Sequence, residues 1–191
     1  MPHHGMNRST GKPGPAYNDV MPLTRQRASM LAVLLSVALL AALIVWVLPG
    51  LQRTPAPAVE FGLLDGSRAS LAELRGRPVL LVFWATSCPP CVDEVPDLVK
   101  LHQALSPRGL VLIAVAMPYD PPVVVRDFVL DHQLPYPVAI DVPGHAARAF
   151  GIAAIPNAVL IDRDGRIAWQ QTGRLDIPRV RRLIESMLDP S

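Results

Sequence analysis

A chain of 191 residues has room for one ordinary domain plus one extra segment. Its net charge is only +2 and its Lys and Arg are scattered without forming a stripe, which argues against a phosphate backbone as ligand, so no nucleic-acid partner is expected. Half the residues are hydrophobic, and much of that excess sits in a single stretch near the N-terminus.

Residues 1–29 lack apolar periodicity and begin with a Gly-, Pro-, Ser- and Asn-rich run, the composition of a disordered cytoplasmic tail. From Met30 to Val47 (MLAVLLSVALLAALIVWV) there is no charge and one hydroxyl, close to the roughly 20 apolar residues that a bilayer crossing needs. Residues 30–48 are therefore expected to be a transmembrane signal-anchor helix. The apolar core of a cleavable signal peptide is usually only about 7 to 15 residues, although Ala56-Pro57-Ala58 offers a small-residue cleavage site. A buried globular helix would show a polar face, and none is present. Arg8, Lys12, Arg25 and Arg27 precede the stretch against the single acid Asp19, whereas Arg53, Glu60 and Asp65 follow it. The positive-inside rule then keeps the N-terminus in the cytoplasm and carries everything after Pro49 across the inner membrane, in a bacterium to the periplasm or outer surface.

Residues 49–58 (PGLQRTPAPA) read as a proline-rich linker, and a domain is expected over 59–191. Within it, strands are expected at Val79–Trp84, Leu110–Ala116, Pro137–Ile140, Ala158–Asp162 and Ile167–Thr172, the last two joined through an Asp162-to-Gly165 (DRDG) turn. Helices are expected over Cys91–Leu105, from an Asp120 N-cap with Pro121 in the first turn to about Gln133, over His145–Phe150, and from an Asp176 N-cap onward. The last places Ile177, Val180, Leu183, Ile184, Met187 and Leu188 on one face. Parallel βαβ pairing followed by an antiparallel hairpin and a terminal helix predicts an α/β fold with a mixed central sheet between helices.

The only two cysteines form Cys88-Pro89-Pro90-Cys91, after an apolar strand and before a helix, the arrangement of a redox pair. A thiolate is the nucleophile of disulfide exchange, and a helix N-terminus favours that anion, so Cys88 is the attacking thiol. Cys91, one turn on, is placed to resolve the mixed disulfide. A purely structural bridge would close too short a loop to restrain the unfolded chain usefully. A zinc site needs further ligands, and His102, His132 and His145 are scattered singles; a peroxidase thiol would have a basic residue beside it, and Thr86 has none adjacent. No metal or cofactor is expected. Neither Pro89 nor Pro90 can offer an N–H to the Cys88 sulfur, which leaves the Cys91 amide as the local donor and disfavours a strongly oxidising couple. Cys91 and Glu94 are spaced i, i+3 on one helix face, so Glu94 can take the Cys91 proton, while Asp93 is assigned to complementing the helix dipole.

The segments SLAELRGRPVLLV, FWATSCPPCVDEVPDL, GIAAIPNAVLID and DGRI together resemble the membrane-anchored thioredoxin-like thiol:disulfide oxidoreductases of the TlpA, ResA and CcmG group, over about residues 58 to 189. The resemblance implies a thioredoxin fold and a protein-disulfide reductase. It implies exported clients such as apocytochrome c or a copper-site assembly protein, and a membrane dithiol electron donor of the CcdA/DsbD kind. Ile155-Pro156 matches the family's cis-proline loop, which pairs with the substrate peptide; Trp84 matches the retained aromatic of the active-site loop, Pro96 the proline that kinks the active-site helix, and Glu94 an acid near the resolving cysteine. Two positions depart from the pattern: Ser87 stands where the group usually has Trp, and Val82 where thioredoxins proper have a buried acid. A disulfide-forming oxidase and a Cu(I) chaperone are the alternatives that use the same two thiols.

Overall fold

A computed structural model describes residue 30, residues 32–44 and residues 53–189. Met1–Gln52 and Arg53–Ser191 are separate units. In the first, residue 30 and residues 32–44 are helical (α1) with exposed side chains. Among the described residues no helix is long and apolar enough to cross a membrane. The tail 1–29, and residues 31 and 45–48 of the expected span, lie outside them.

The second unit opens with a hairpin of β1 (Glu60–Gly62) and β2 (Arg68–Ser70), followed by β3 (Val79–Trp84), α2 (Pro89–Asp93), α3 (Val95–Leu105) and β4 (Val111–Ala116). Then come α4 (Pro122–Asp131), β5 (Val138–Ile140), α5 (His145–Ala149), β6 (Asn157–Ile161), β7 (Ile167–Thr172) and α6 (Ile177–Leu188). Five strands form one sheet in the order β5-β4-β3-β6-β7. Strands β3, β4 and β5 run parallel, and β6 and β7 are antiparallel additions, which is the mixed sheet expected.

Every residue of β3 is buried because the sheet is covered on both faces, and the period of two along the strand sorts its side chains between two cores. Leu80, Val82 and Trp84 face a core shared with Leu98, Leu101 and Leu105 of α3, Val125 of α4 and Val180 and Ile184 of α6. Val79, Leu81 and Phe83 face the other core, with Phe61 of the hairpin and Ala146, Ala147 and Phe150 around α5. Each fully buried Leu or Phe contributes about 1.5–3 kcal/mol over its exposed state.

Several boundaries differ from the sequence expectation for local reasons. The expected helix from Cys91 to Leu105 is two helices meeting at Glu94, because Pro96 lacks the N–H that an unbroken helix would donate back to Val92. Asp120 does not cap α4: Pro121 occupies the N-cap position, no side chain caps it, and the Asp120 carboxylate bonds elsewhere. Asp176 does cap α6, accepting from the Arg179 N–H at 3.0 Å. The compact unit starts at Arg53 instead of Val59, since Ala56 donates to Gly165 and Ile167 to Thr54, and Pro55 bridges Arg166. The second half of the expected linker is thus zipped to the β6–β7 turn, where Gly165 takes a φ of +77°.

Candidate active site

Strand β3 delivers the chain to the carboxyl end of the parallel strands, the end at which α/β sheets place their functional loops. There Cys88 occupies the N-cap position of α2, and a disulfide joins it to Cys91 across 5.3 Å between Cα atoms. The two sulfurs are unequal. Cys88 is half-buried, whereas Cys91 is only 3% exposed and faces the core. A partner thiol or disulfide can therefore reach Cys88 and not Cys91, as attack followed by internal resolution requires.

The Cys91 amide has a different use from the one expected. It donates to the Cys88 carbonyl at 3.0 Å, and the Val92 amide donates to the same oxygen at 3.1 Å. With Pro89 and Pro90 lacking N–H groups, the nearest amides are committed to the turn instead of the sulfur.

Behind Cys91 lies a small cavity whose walls include Trp84, Cys91, Glu94, Leu98 and Tyr136. Glu94 is 4% exposed, and its Oε1 accepts from the Leu175 N–H in the connection between β7 and α6. Burial pushes its carboxyl above the usual value, opposed by the Leu175 hydrogen bond and the nearby Arg174 guanidinium and reinforced by Asp97. Glu94 and Cys91 thus line the same small cavity. Trp84 is buried against Phe128, ring centroids 5.0 Å apart, and its Nε1 has no hydrogen-bond partner among the described residues. It backs the cavity and does not reach the outer surface. Ser87 is exposed beside Cys88.

Ile155 and Pro156 lie immediately before β6, whose Asn157 pairs with Phe83 near the end of β3, so the loop sits at the same end as the disulfide. The Ile155–Pro156 bond is cis. Pro156 is buried and its carbonyl accepts from Gly173; Ile155 is half-buried, and its main chain makes no hydrogen bond among the described residues. That leaves a free N–H and C=O for an extended peptide laid along the loop.

Local sequence did not point to the roles of Leu175, Asp120 or Thr86. Asp120 is 3% exposed, and both of its carboxylate oxygens bond to Thr86, two residues before Cys88. Of the scattered histidines, His132 stacks on Phe128, and His102, its pKa lowered by burial, meets the edge of Tyr136.

Residues 52–184 match the Redoxin family. The thiol-disulfide oxidoreductase ResA of Halalkalibacterium halodurans is 36% identical over 137 residues, which span 71% of this chain and 77% of that protein. Among solved structures, a Neisseria meningitidis protein described as a candidate thioredoxin is 34% identical, with a TM-score of 0.67 over 73% of this chain and 93% of that one. A thiol:disulfide interchange protein of the thioredoxin family from Chlorobium tepidum TLS is 28% identical, with a TM-score of 0.65 over 72% of this chain and 98% of that one.

Proposed function

The chain belongs to the Redoxin family, among the thioredoxin-like thiol:disulfide oxidoreductases of the TlpA, ResA and CcmG type, and from that premise we propose that it is a membrane-tethered reductase of disulfides in exported proteins. The carrying observation is the unequal exposure of the two sulfurs at the carboxyl end of β3. In the reaction, the Cys88 thiolate attacks one sulfur of the client disulfide, forming a mixed disulfide and releasing the client's first thiolate, which takes up a proton. Cys91 loses its proton toward Glu94 and attacks the Cys88 sulfur. The internal disulfide forms, and the second client thiol leaves. Two electrons pass to the client, whose two thiolates take up one proton from solvent and the one that Cys91 gave to Glu94, and a membrane dithiol donor of the CcdA/DsbD kind restores the reduced pair. The client segment lies along Ile155 and Pro156, and the free N–H and C=O of Ile155 hold it in register.

The uncharged stretch from Met30 to Val47 and the positive residues before it support a single-pass anchor in the inner membrane with the catalytic domain in the periplasm. A tether suits a dedicated task, and apocytochrome c or a copper-site assembly protein is the proposed client. The commitment of the Cys91 and Val92 amides to the Cys88 carbonyl favours a reductase over an oxidase, because strong oxidants owe their poise to a stabilised reduced form.

The test is the reduction potential of the Cys88/Cys91 couple, measured on the full chain in detergent by equilibration with dithiothreitol or glutathione buffers. A value near that of thioredoxin, about −270 mV, is expected; one approaching about −120 mV would make the protein an oxidase.

A further inference from the structure

Asp120 is an anomaly in the electrostatics of the fold. It is 3% exposed, no Lys, Arg or His pairs with it among the described residues, and it does not cap the helix that follows it. A carboxylate removed from water without a cation carries a desolvation penalty of several kcal/mol unless hydrogen bonds offset it. Here both bonds come from one residue. The Thr86 N–H donates to Oδ2 at 2.6 Å and the Thr86 hydroxyl donates to Oδ1 at 2.7 Å. Thr86 lies between Ala85, whose carbonyl accepts from the Cys88 N–H at 3.1 Å, and the disulfide itself. The loop that presents Cys88 is therefore fastened at two successive residues, once by its own backbone and once by a buried anion from the loop after β4.

We propose that Asp120 is a positioning residue of the redox loop that also sets its poise: clamped to Thr86, it holds Cys88 in place and keeps negative charge near the thiolate, making the couple more reducing. Two peptide units separate Thr86 from Cys88, so their Cα atoms are at most about 7 Å apart. A buried anion hydrogen-bonded to the loop two residues before Cys88 is weakly screened by solvent and disfavours a second negative charge there. The reduced form of the pair is the one that carries the thiolate, so destabilising it shifts the equilibrium toward the disulfide and toward stronger reducing power. In the disulfide form the Cys91 and Val92 N–H groups, the nearest helix-start amides, both donate to the Cys88 carbonyl and not to its sulfur. The inference rests on Cys88 and Cys91 being the redox couple, and Cys88→Ser tests that separately by abolishing all exchange.

The experiment is redox equilibration of the full chain in detergent with dithiothreitol, comparing Asp120→Asn with the unmodified protein, alongside thermal unfolding of each oxidised form. Asn keeps an acceptor for the Thr86 N–H and removes the charge. The equilibrium constant for reduction by dithiothreitol is expected to rise about tenfold, which is about 30 mV for a two-electron couple. A constant within twofold of the unmodified protein, whatever happens to thermal stability, would show Asp120 to be structural only and overturn the proposal. Should Asp120→Asn fail to fold, Thr86→Val carries the test. It keeps the backbone donor and the charge but deletes the hydroxyl that partly neutralises that charge, and it is expected to lower the constant about threefold. An unchanged or raised constant would overturn the proposal.

Discussion

Glu94 shows how one side chain can be assigned a role from spacing and still hide its energetics. Its i, i+3 relation to Cys91 is visible in the sequence, because helix periodicity alone puts the two on one face. Its burial and its bond to the Leu175 N–H are not visible, since that partner lies 81 residues away. Burial raises the folded-state pKa above the ordinary 4.5, so the folded protein binds a proton more tightly than the unfolded chain does. The stability this group contributes is therefore fully present below the unfolded value and is lost as pH rises through the folded one. Glu94→Gln retains an acceptor for Leu175 and does not titrate. Unfolding temperatures of the two oxidised proteins, followed from about pH 4 to about pH 8, are expected to diverge in favour of the Gln variant as pH rises. A difference that stays constant across that range would remove the buried carboxylate as its cause. Turnover is expected to fall in the same variant, because resolution loses its base.

At the level of elements, what could be read from the sequence depended on whether the signal was local. Asp120-Pro121-Pro122 and Asp176-Ile177-Pro178 look alike as helix starts, yet only Asp176 caps its helix, bonding the Arg179 N–H. The difference is tertiary: Thr86 competes for the Asp120 carboxylate, and nothing in residues 120–125 records that. Likewise the strands β1 and β2, three residues each, are too short to show a period and were not anticipated, whereas Val79–Trp84 and Ile167–Thr172 were expected at their observed limits. The working cap gives a direct check on this reasoning. Asp176→Ala should destabilise the domain by about 1 kcal/mol, read as a shift in the denaturation midpoint at unchanged slope. Because α6 packs Val180 and Ile184 into the core behind Cys91, the loss should register in the cooperative unfolding of the whole domain and not as local fraying. A midpoint that does not move would mean that the Arg179 N–H is equally well served by water.

For the whole molecule, sheet polarity fixes where the chain enters relative to where it reacts. Val79 pairs with Ile161 and Phe83 with Asn157, so the β6–β7 turn lies at the opposite end of β3 from the disulfide. Residues 53–56 attach at that turn: Ala56 donates to Gly165 at 2.9 Å, Ile167 donates to Thr54 at 2.8 Å, and Arg53 reaches Asp162 at 3.0 Å. The proline-rich composition of this segment predicted a linker because composition reports only local stiffness, while its bonds are made to residues more than a hundred positions later. Cys88 and the segment 53–56 thus lie at opposite ends of the central sheet. The attachment is also part of the fold's stability. Two backbone bonds at about 1 kcal/mol each, with the packing of Ala56 and an ion pair exposed on its Arg53 side adding less, amount to roughly 2–4 kcal/mol. A chain beginning at Val59 should therefore unfold on the order of 10 °C below one beginning at Arg53, with the two far-ultraviolet spectra otherwise alike. Equal unfolding temperatures would mean that the segment merely lies on the turn. A loss of the size expected would make Arg53 the true start of the domain, and would make residues 53–58 a structural segment whose release weakens the catalytic unit.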